Sequence, residues 1–211
     1  MGKTALILGA TGLTGSLVLN KLLEDDRYSE VKVLARRTTN VNHPKLIEKI
    51  GDVLELDQYI DFIKGDEMYI CIGTTKNKTP DKELYRKIDF GIPSKAAEIC
   101  VRNKIGKIAV VSAIGANANS NILYNKLKGE MENKVLNAKI PKSYILRPSL
   151  ISGNRKNDFR FGERVGLALF SSLSFLIPAK YKMTKAESIA DRMIELCNSS
   201  TSSKILEAEQ I

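Results

Sequence analysis

Residues 4–23 read TALILGATGLTGSLVLNKLL. Thr4 to Leu8 form an apolar run of extended character, and Leu13, Leu17, Val18 and Leu22 recur on one side of a helix-period stretch that lasts to Leu23. Between the two stand Gly9, Gly12 and Gly15, so the glycines occupy a strand-to-helix turn. A turn that tight needs backbone angles that side chains resist. In the spacing GxxGxxG, Gly9 permits the turn, Gly12 permits close approach of a pyrophosphate, and Gly15 permits close packing of helix on strand. The first turn of the new helix also points free N–H groups outward, which suits an anion. Gly9, Thr11, Gly12, Leu13, Thr14 and Gly15 are therefore the candidate phosphate cradle.

Downstream, Ser29 to Arg37 reads as a second strand, a third ends near Ile50, Leu54 to Ile63 suggests a short helix, and Glu67 to Gly73 is a fourth strand. A polar loop, TTKNKTPDKE, leads to a mostly helical stretch from Tyr85 to Arg102, with Ile92-Pro93 marking an irregularity or a helix start. Lys107 to Ala113 and Ser143 to Ser149 are a fifth and sixth strand, separated by a helix over Ile122–Ala138. Further helices are expected near 160–171 and 185–198, before a serine-rich linker and a last short apolar segment, KILEAEQI. The alternation predicts an α/β fold: a doubly wound parallel sheet, Rossmann-like, with a short C-terminal helical appendage. One domain over 1–211 is expected, with 155–200 as a cover on the substrate side.

A βαβ unit that opens on such a turn points to a dinucleotide. An unmodified adenosine ribose is usually held by an acid at the end of the second strand. This chain instead has Ala35, Arg36, Arg37 and Thr38 there. A guanidinium matches a 2′-phosphate by charge and by its planar fork of donors, so Arg36, supported by Arg37, predicts NADP (NADPH). The alternative is a pair of surface arginines. Asp52 suits the exocyclic amine of adenine, with Val53 beside it, although Asp52 also reads as a simple turn acid. Gly73 would let the cofactor pass over the sheet edge.

The later half holds candidate chemistry. Ser112 ends the fifth strand, and Tyr124 and Lys128 lie four apart near the start of the following helix, on one face. A lysine one turn from a tyrosine favours the phenolate and is expected to draw its pKa down toward working pH. Ser112 would hold a substrate carbonyl, Tyr124 would exchange the proton, and Lys128 would also hold the nicotinamide ribose. A solvated tyrosine and lysine is the plain alternative.

The 211 residues are 43% hydrophobic and 27% charged, ordinary for a globular domain. Lysine and arginine number 33 against 24 acids, for a net charge of +9, but the positives are scattered, so nucleic acid is not expected as a partner. Cys71, Cys100 and Cys197 are far apart in apolar surroundings and His43 is the single histidine, which argues for free thiols and against a metal. With no signal-peptide pattern, a cytoplasmic location is expected. The run 165–179 is too short to span a membrane comfortably and is a candidate lid or homodimer surface, with burial in the monomer core as the alternative.

The pieces GATGLTG, ARR, GD at 51–52, IGTTKNK at 72–78, YRKIDFG, VVSAIGANANSNILYNKLKGEMEN and YILRPSLI follow one another over residues 1 to about 155. In that order they resemble the short-chain dehydrogenase/reductase superfamily, in an atypical, shortened form near the Tat-interacting oxidoreductase-like branch. The resemblance implies one Rossmann-like domain, preference for NADPH, and a Ser112–Tyr124–Lys128 set. It also implies cofactor contacts at Gly73 and Thr74, and at Pro148, Leu150 and Ile151 beside the nicotinamide amide. Asp89 departs from the asparagine that classical members carry in that helix. An NADPH-dependent reductase of a small carbonyl or related electrophile is the expected activity. The alternatives are an NADPH-binding regulatory or protein-interaction module without turnover and, third, an epimerase-like enzyme, disfavoured by the short chain and the arginine pair.

Overall fold

Every residue from Ala5 to Leu8 is buried, yet they serve two different cores. Ala5 and Ile7 pack with Val18, Leu19, Leu22, Ile189 and Met193 on one side of a sheet. Leu6 and Leu8 pack with Ile92, Ala96, Ile99, Met131 and Val135 on the other. Successive strand side chains point to opposite faces, so a strand buried on both faces reads as an unbroken apolar run. Each buried leucine, isoleucine, valine or methionine among them contributes roughly 1.5–3 kcal/mol of burial.

The computed structural model describes residues 2–75, 77–153, 182–202 and 204–211. Its strands are β1 (Lys3–Leu8), β2 (Tyr28–Ala35), β3 (Leu46–Ile50), β4 (Glu67–Ile70), β5 (Lys107–Val111), β6 (Lys142–Arg147), β7 (Ile151–Ser152), β8 (Thr184–Lys185) and β9 (Lys204–Glu207). Its α-helices are α1 (Leu13–Glu24), α2 (Lys82–Arg86), α3 (Ile92–Arg102), α4 (Leu123–Leu136) and α5 (Ala186–Asn198). A seven-stranded parallel sheet runs β3-β2-β1-β4-β5-β6-β9, with α1 and α5 on one face and α3 and α4 on the other. The order reverses between β1 and β4, which opens a crevice at the carboxyl ends of those strands. The doubly wound parallel sheet expected from the sequence is therefore present, and α5 with β9 forms the C-terminal appendage.

Three features go beyond the sequence reading. The closing segment KILEAEQI contributes β9, whose Ile205 and Leu206 pair with Ile145 and Leu146. Ile151–Ser152 and Thr184–Lys185 form a separate two-stranded pair. Tyr85 to Arg102 is helical throughout, but Lys87–Gly91 is a π-helical turn between α2 and α3. Pro93 accounts for the wider turn: it has no N–H to give the Asp89 carbonyl and its ring would crowd that carbonyl in α register.

The amino end of the sheet is closed by its own side chains. Glu67 is 1% exposed. Its carboxylate accepts from Tyr28 OH at 2.6 Å and Tyr69 OH at 2.9 Å and pairs with Lys3 Nζ at 2.8 Å. Asn198 of α5 donates to Tyr28 OH and accepts from Lys3, and Lys107 Nζ lies 3.7 Å from the same carboxylate. Burial pushes the Tyr28 and Tyr69 hydroxyls well above the usual phenol range, so both stay protonated donors. Cys71, Cys100 and Cys197 are free, and burial pushes each thiol up to about 12, leaving them inert. Among the described residues, no helix is long and apolar enough to cross a membrane. The proposed lid or dimer run at 165–179 lies outside the described residues.

Candidate functional site

At the carboxyl end of β1, Gly9 has φ +93°, a conformation that side chains resist, and a Cβ there would meet the Cys71 carbonyl oxygen at 2.6 Å. A Cβ on Gly15 would stand 2.1 Å from the Gly9 oxygen, so the helix can lie this close to the strand only with glycine at that position. Gly12 differs. Its φ of −87° is ordinary, and the nearest atoms to a Cβ would be the Gly9 and Cys71 oxygens at 3.2 and 3.9 Å, with open space elsewhere. Gly12 is the N-cap of α1, no side chain among the described residues caps the helix, and its first turn holds no acid. Open space over uncapped N–H groups at the positive end of a helix fits a dinucleotide pyrophosphate. Thr11 and Gly12 are exposed, Leu13 is half-buried, and Thr14 and Gly15 turn into the packing.

The other strand ends place the remaining candidates on the same edge of the parallel sheet. Arg36 and Arg37 follow β2, both exposed and without an ion pair among the described residues. After β3, Asp52 is exposed but its carboxylate accepts from Leu54 N–H at 2.9 Å, a local turn bond, and Val53 packs into the core. After β4, Gly73 is exposed and Thr74 donates its N–H to Asp89 Oδ2 at 3.0 Å. Beyond β6, Pro148 is buried, Leu150 is 54% exposed, and Ile151 lies in β7. The β7 side of this edge reaches the glycine turn, because a Cβ on Gly153 would touch the Leu13 side chain at 3.0 Å.

Tyr124, Lys128 and Glu132 are spaced by four along α4, so one helix face carries all three. Tyr124 is 36% exposed, at the rim. The Lys128 side chain is 4% exposed and its Nζ lies 2.9 Å from Oδ1 of the fully buried Asp89. A Cβ on Gly73 would sit 3.5 Å from that oxygen and 3.7 Å from that ammonium, which places Gly73 beside the buried pair at the end of β4. Removing one partner of such a buried pair costs about 3–5 kcal/mol.

Two expectations change here. Lys128 does not draw the Tyr124 phenol down: burial first and the Asp89 charge second push it up to about 12. Tyr85, buried beside them, is raised for the same two reasons and then by Tyr124. Ser112, expected to hold a carbonyl, donates its proton to Glu132 Oε1 at 2.5 Å. Arg147 grips the same carboxylate through Nε at 3.0 Å and Nη2 at 2.6 Å, and reaches Glu207 of β9 through Nη1 at 2.8 Å. A hydroxyl has one proton, so in this arrangement Ser112 has none to offer a substrate. Glu132, Arg147 and the Asp89–Lys128 pairing were missed by sequence reading. The four-residue spacing that exposed Tyr124 and Lys128 would have reached Glu132, whereas nothing local marks the other two.

Comparison with known proteins agrees with this geometry. A family model described as NAD(P)H-binding matches residues 9–162. Protein FMP52-1, mitochondrial, of Scheffersomyces stipitis is 31% identical over 160 residues, which cover 72% of this chain and 69% of that protein. Protein HTATIP2 of Rattus norvegicus is 29% identical over 175 residues, covering 81% of this chain and 72% of that one. The Bordetella bronchiseptica enzyme WbmH, solved in complex with NAD+, superimposes with a TM-score of 0.76 at 16% identity, covering 98% of this chain and 75% of WbmH. The motif-based resemblance to the Tat-interacting oxidoreductase-like branch is borne out.

Two expectations are overturned. The fold neighbour holds NAD+, so the NADP-specific expectation is withdrawn in favour of NAD(P). The physical reason is that an exposed guanidinium stacks on adenine or meets a pyrophosphate as readily as a 2′-phosphate, so its charge alone does not discriminate. The cytoplasmic expectation also fails, because FMP52 relatives carry the designation mitochondrial. Free thiols mark a reducing environment without saying which one, and a cellular address is read by a receptor rather than by the folded core.

Proposed function

This chain belongs to the NAD(P)H-binding family, and from that premise we propose that it reduces a small carbonyl compound or related electrophile with an NAD(P) cofactor. The observation that carries the proposal is the part-exposed Tyr124 at the rim of the carboxyl edge, one turn from the buried Lys128, on the same edge as the glycine turn. Gly9, Gly12 and the first N–H groups of α1 would hold the pyrophosphate, with Arg36 and Arg37 toward the adenosine. Gly73, Thr74 and Pro148 to Ile151 would flank the nicotinamide side. When bound, the cofactor supplies or takes a hydride at its nicotinamide. Tyr124 donates the phenolic proton to the oxygen of the carbonyl being reduced, and Lys128 orients the site from below.

A second reading has its own support. With the Ser112 proton committed to Glu132, the donor expected to orient a carbonyl is not at hand. A regulatory module that binds the dinucleotide and a protein partner without turnover would need no such donor. One experiment separates the two. The purified protein is denatured and the released nucleotide identified, then a carbonyl panel is followed at the nicotinamide absorbance with NADH and with NADPH. Turnover establishes the reductase, tight nucleotide without turnover across the panel favours the module, and failure to bind either nucleotide sinks both.

A further inference from the structure

We propose that Glu48 is a positioning residue that clamps the chain just after Arg36 and Arg37, so that the two guanidiniums are held ready for the adenosine half of the dinucleotide. This rests on the nucleotide-binding part of the proposed function and names a residue that acts through the arginines without touching the ligand.

The sheet register places the clamp. β3 lies beside β2 with Glu48 opposite Val33 and Ile50 opposite Ala35. Val33 belongs to the core on the α1 side, and Leu46, two residues before Glu48, packs against the same core. Residues two apart on a strand share a face, so the Glu48 side chain is on the α1 face of the sheet. Its carboxylate accepts from Thr38 Oγ1 at 2.8 Å, from Thr39 N–H at 2.7 Å and from the Thr39 hydroxyl. Each threonine oxygen accepts in turn from the backbone two residues on, Asn40 N–H at 3.1 Å and Val41 N–H at 3.4 Å. Asn40 takes the left-handed conformation, with φ +58°, which asparagine tolerates better than most residues. The chain then brings Val41 onto the core against which Leu17 of α1 also packs.

The near side of the arginines is tied to the same stretch of chain, because Gly51 N–H, directly after β3, donates to the Ala35 carbonyl at 2.9 Å. Arg36 and Arg37 therefore form an arch with both feet fixed. Backbone holds the Ala35 foot, and one carboxylate holds the Thr38–Thr39 foot. The clamp has a second effect. A free carboxylate at this turn would compete for a guanidinium, whereas three threonine donors fill this one, and both arginines stay exposed and unpaired among the described residues. Ordering a long side chain and its loop when a ligand arrives costs affinity, and a loop already fixed avoids part of that cost.

The test is a mutant cycle on the full-length protein, titrated by calorimetry with NADH and with NADPH, with circular dichroism to check the fold. Glu48→Ala weakens nucleotide binding roughly 10-fold, the size expected when two arginines must be ordered on binding. In the Arg36→Ala/Arg37→Ala protein, adding Glu48→Ala causes no further loss, because the clamp then has nothing to position. Glu48→Gln keeps an acceptor for Thr39 N–H and recovers most of the affinity. A folded Glu48→Ala that binds like the parent overturns the proposal. An equal loss with and without the arginines does the same, since a general loosening of the fold would act in both backgrounds. Glu48→Gln as weak as Glu48→Ala would also overturn it, by making the charge rather than the clamp responsible. Should Glu48→Ala fail to fold, Thr38→Val/Thr39→Val removes the hydroxyl donors from the other side, and parent-like affinity there overturns the proposal. A parent protein that binds neither nucleotide ends the proposed function and the clamp together, whereas binding without coupling to the arginines ends the clamp alone.

Discussion

The two ends of the sheet each bury a carboxylate against a lysine, and they use it in opposite ways. At the amino end, Glu67 is surrounded by Lys3, Lys107, Tyr28, Tyr69 and, through Tyr28, Asn198, so five elements share one charge. At the carboxyl end, Asp89 holds Lys128 and one backbone N–H, while Tyr124, the α1 N-terminus and Gly73 face outward. The first arrangement saturates its donors and acceptors within the protein. The second leaves a donor and an anion cradle for something else. The contrast shows that a buried ion pair does not by itself mark a functional site; the unsatisfied groups beside it do.

Five results would break or sharpen this contrast. The largest effect is expected from Tyr124→Phe, which removes a proton donor and almost no packing area. On a substrate supplied by the carbonyl panel, kcat should fall about 10²–10⁴-fold with little change in nucleotide affinity. Full activity would move the proton source elsewhere.

Next comes Gly12→Val, which should weaken nucleotide binding by roughly 100-fold or more in a folded protein, since its methyls would fill the open cradle. Calorimetry reads the affinity and circular dichroism the fold. Unchanged binding would place the ligand away from this turn. Gly15→Val should by contrast abolish soluble protein, because its Cβ would stand 2.1 Å from the Gly9 oxygen.

Glu67→Gln is expected to cost about 1–3 kcal/mol of stability, seen as a fall in Tm of several degrees, because buried phenols lose a charged acceptor. Nucleotide affinity should not move. A parallel loss of affinity would mean that the two ends are coupled.

The smallest effect is in alkaline stability. The folded-state pKa of Tyr124, about 12, lies above the ordinary 10, and Tyr28 and Tyr69 are shifted the same way. Their contribution is complete below pH 10 and is lost as pH rises through the folded values. Urea midpoints at pH 9, 10 and 11 should therefore decline above 10. The decline should shrink more in Tyr28→Phe than in the part-exposed Tyr124→Phe, and a flat profile to pH 11 would contradict it.

Much of the carboxyl edge was legible in the chain itself. The glycine turn and the arginines after β2 lie at strand ends on that edge, and Tyr124 and Lys128 lie in the first turns of α4, as the chain itself suggested. The misreadings share a cause. Arg36 and Arg37 were read as a 2′-phosphate clamp because charge is visible in a sequence while the shape of the ligand is not. The last segment was left without a role because four residues, KILE, carry too little periodicity to announce β9 until β6 offers them an edge.

What the sequence determined by itself was local: strand against helix, the positions where glycine is needed, and the alternation of strand and helix that marks a doubly wound sheet. Period, turn chemistry and backbone sterics act over a few residues and survive without knowledge of the fold. Only the tertiary structure decided how the charges pair. Lys128 was read as the partner of Tyr124, four residues away, yet its ammonium lies against Asp89, 39 positions earlier on another helical segment. Ser112 was read as facing a substrate, yet its proton goes to Glu132. Electrostatic pairing depends on distance and burial, which strands and helices set only once they are packed, so the partner of Lys128 belongs to the fold rather than to the motif that contains it.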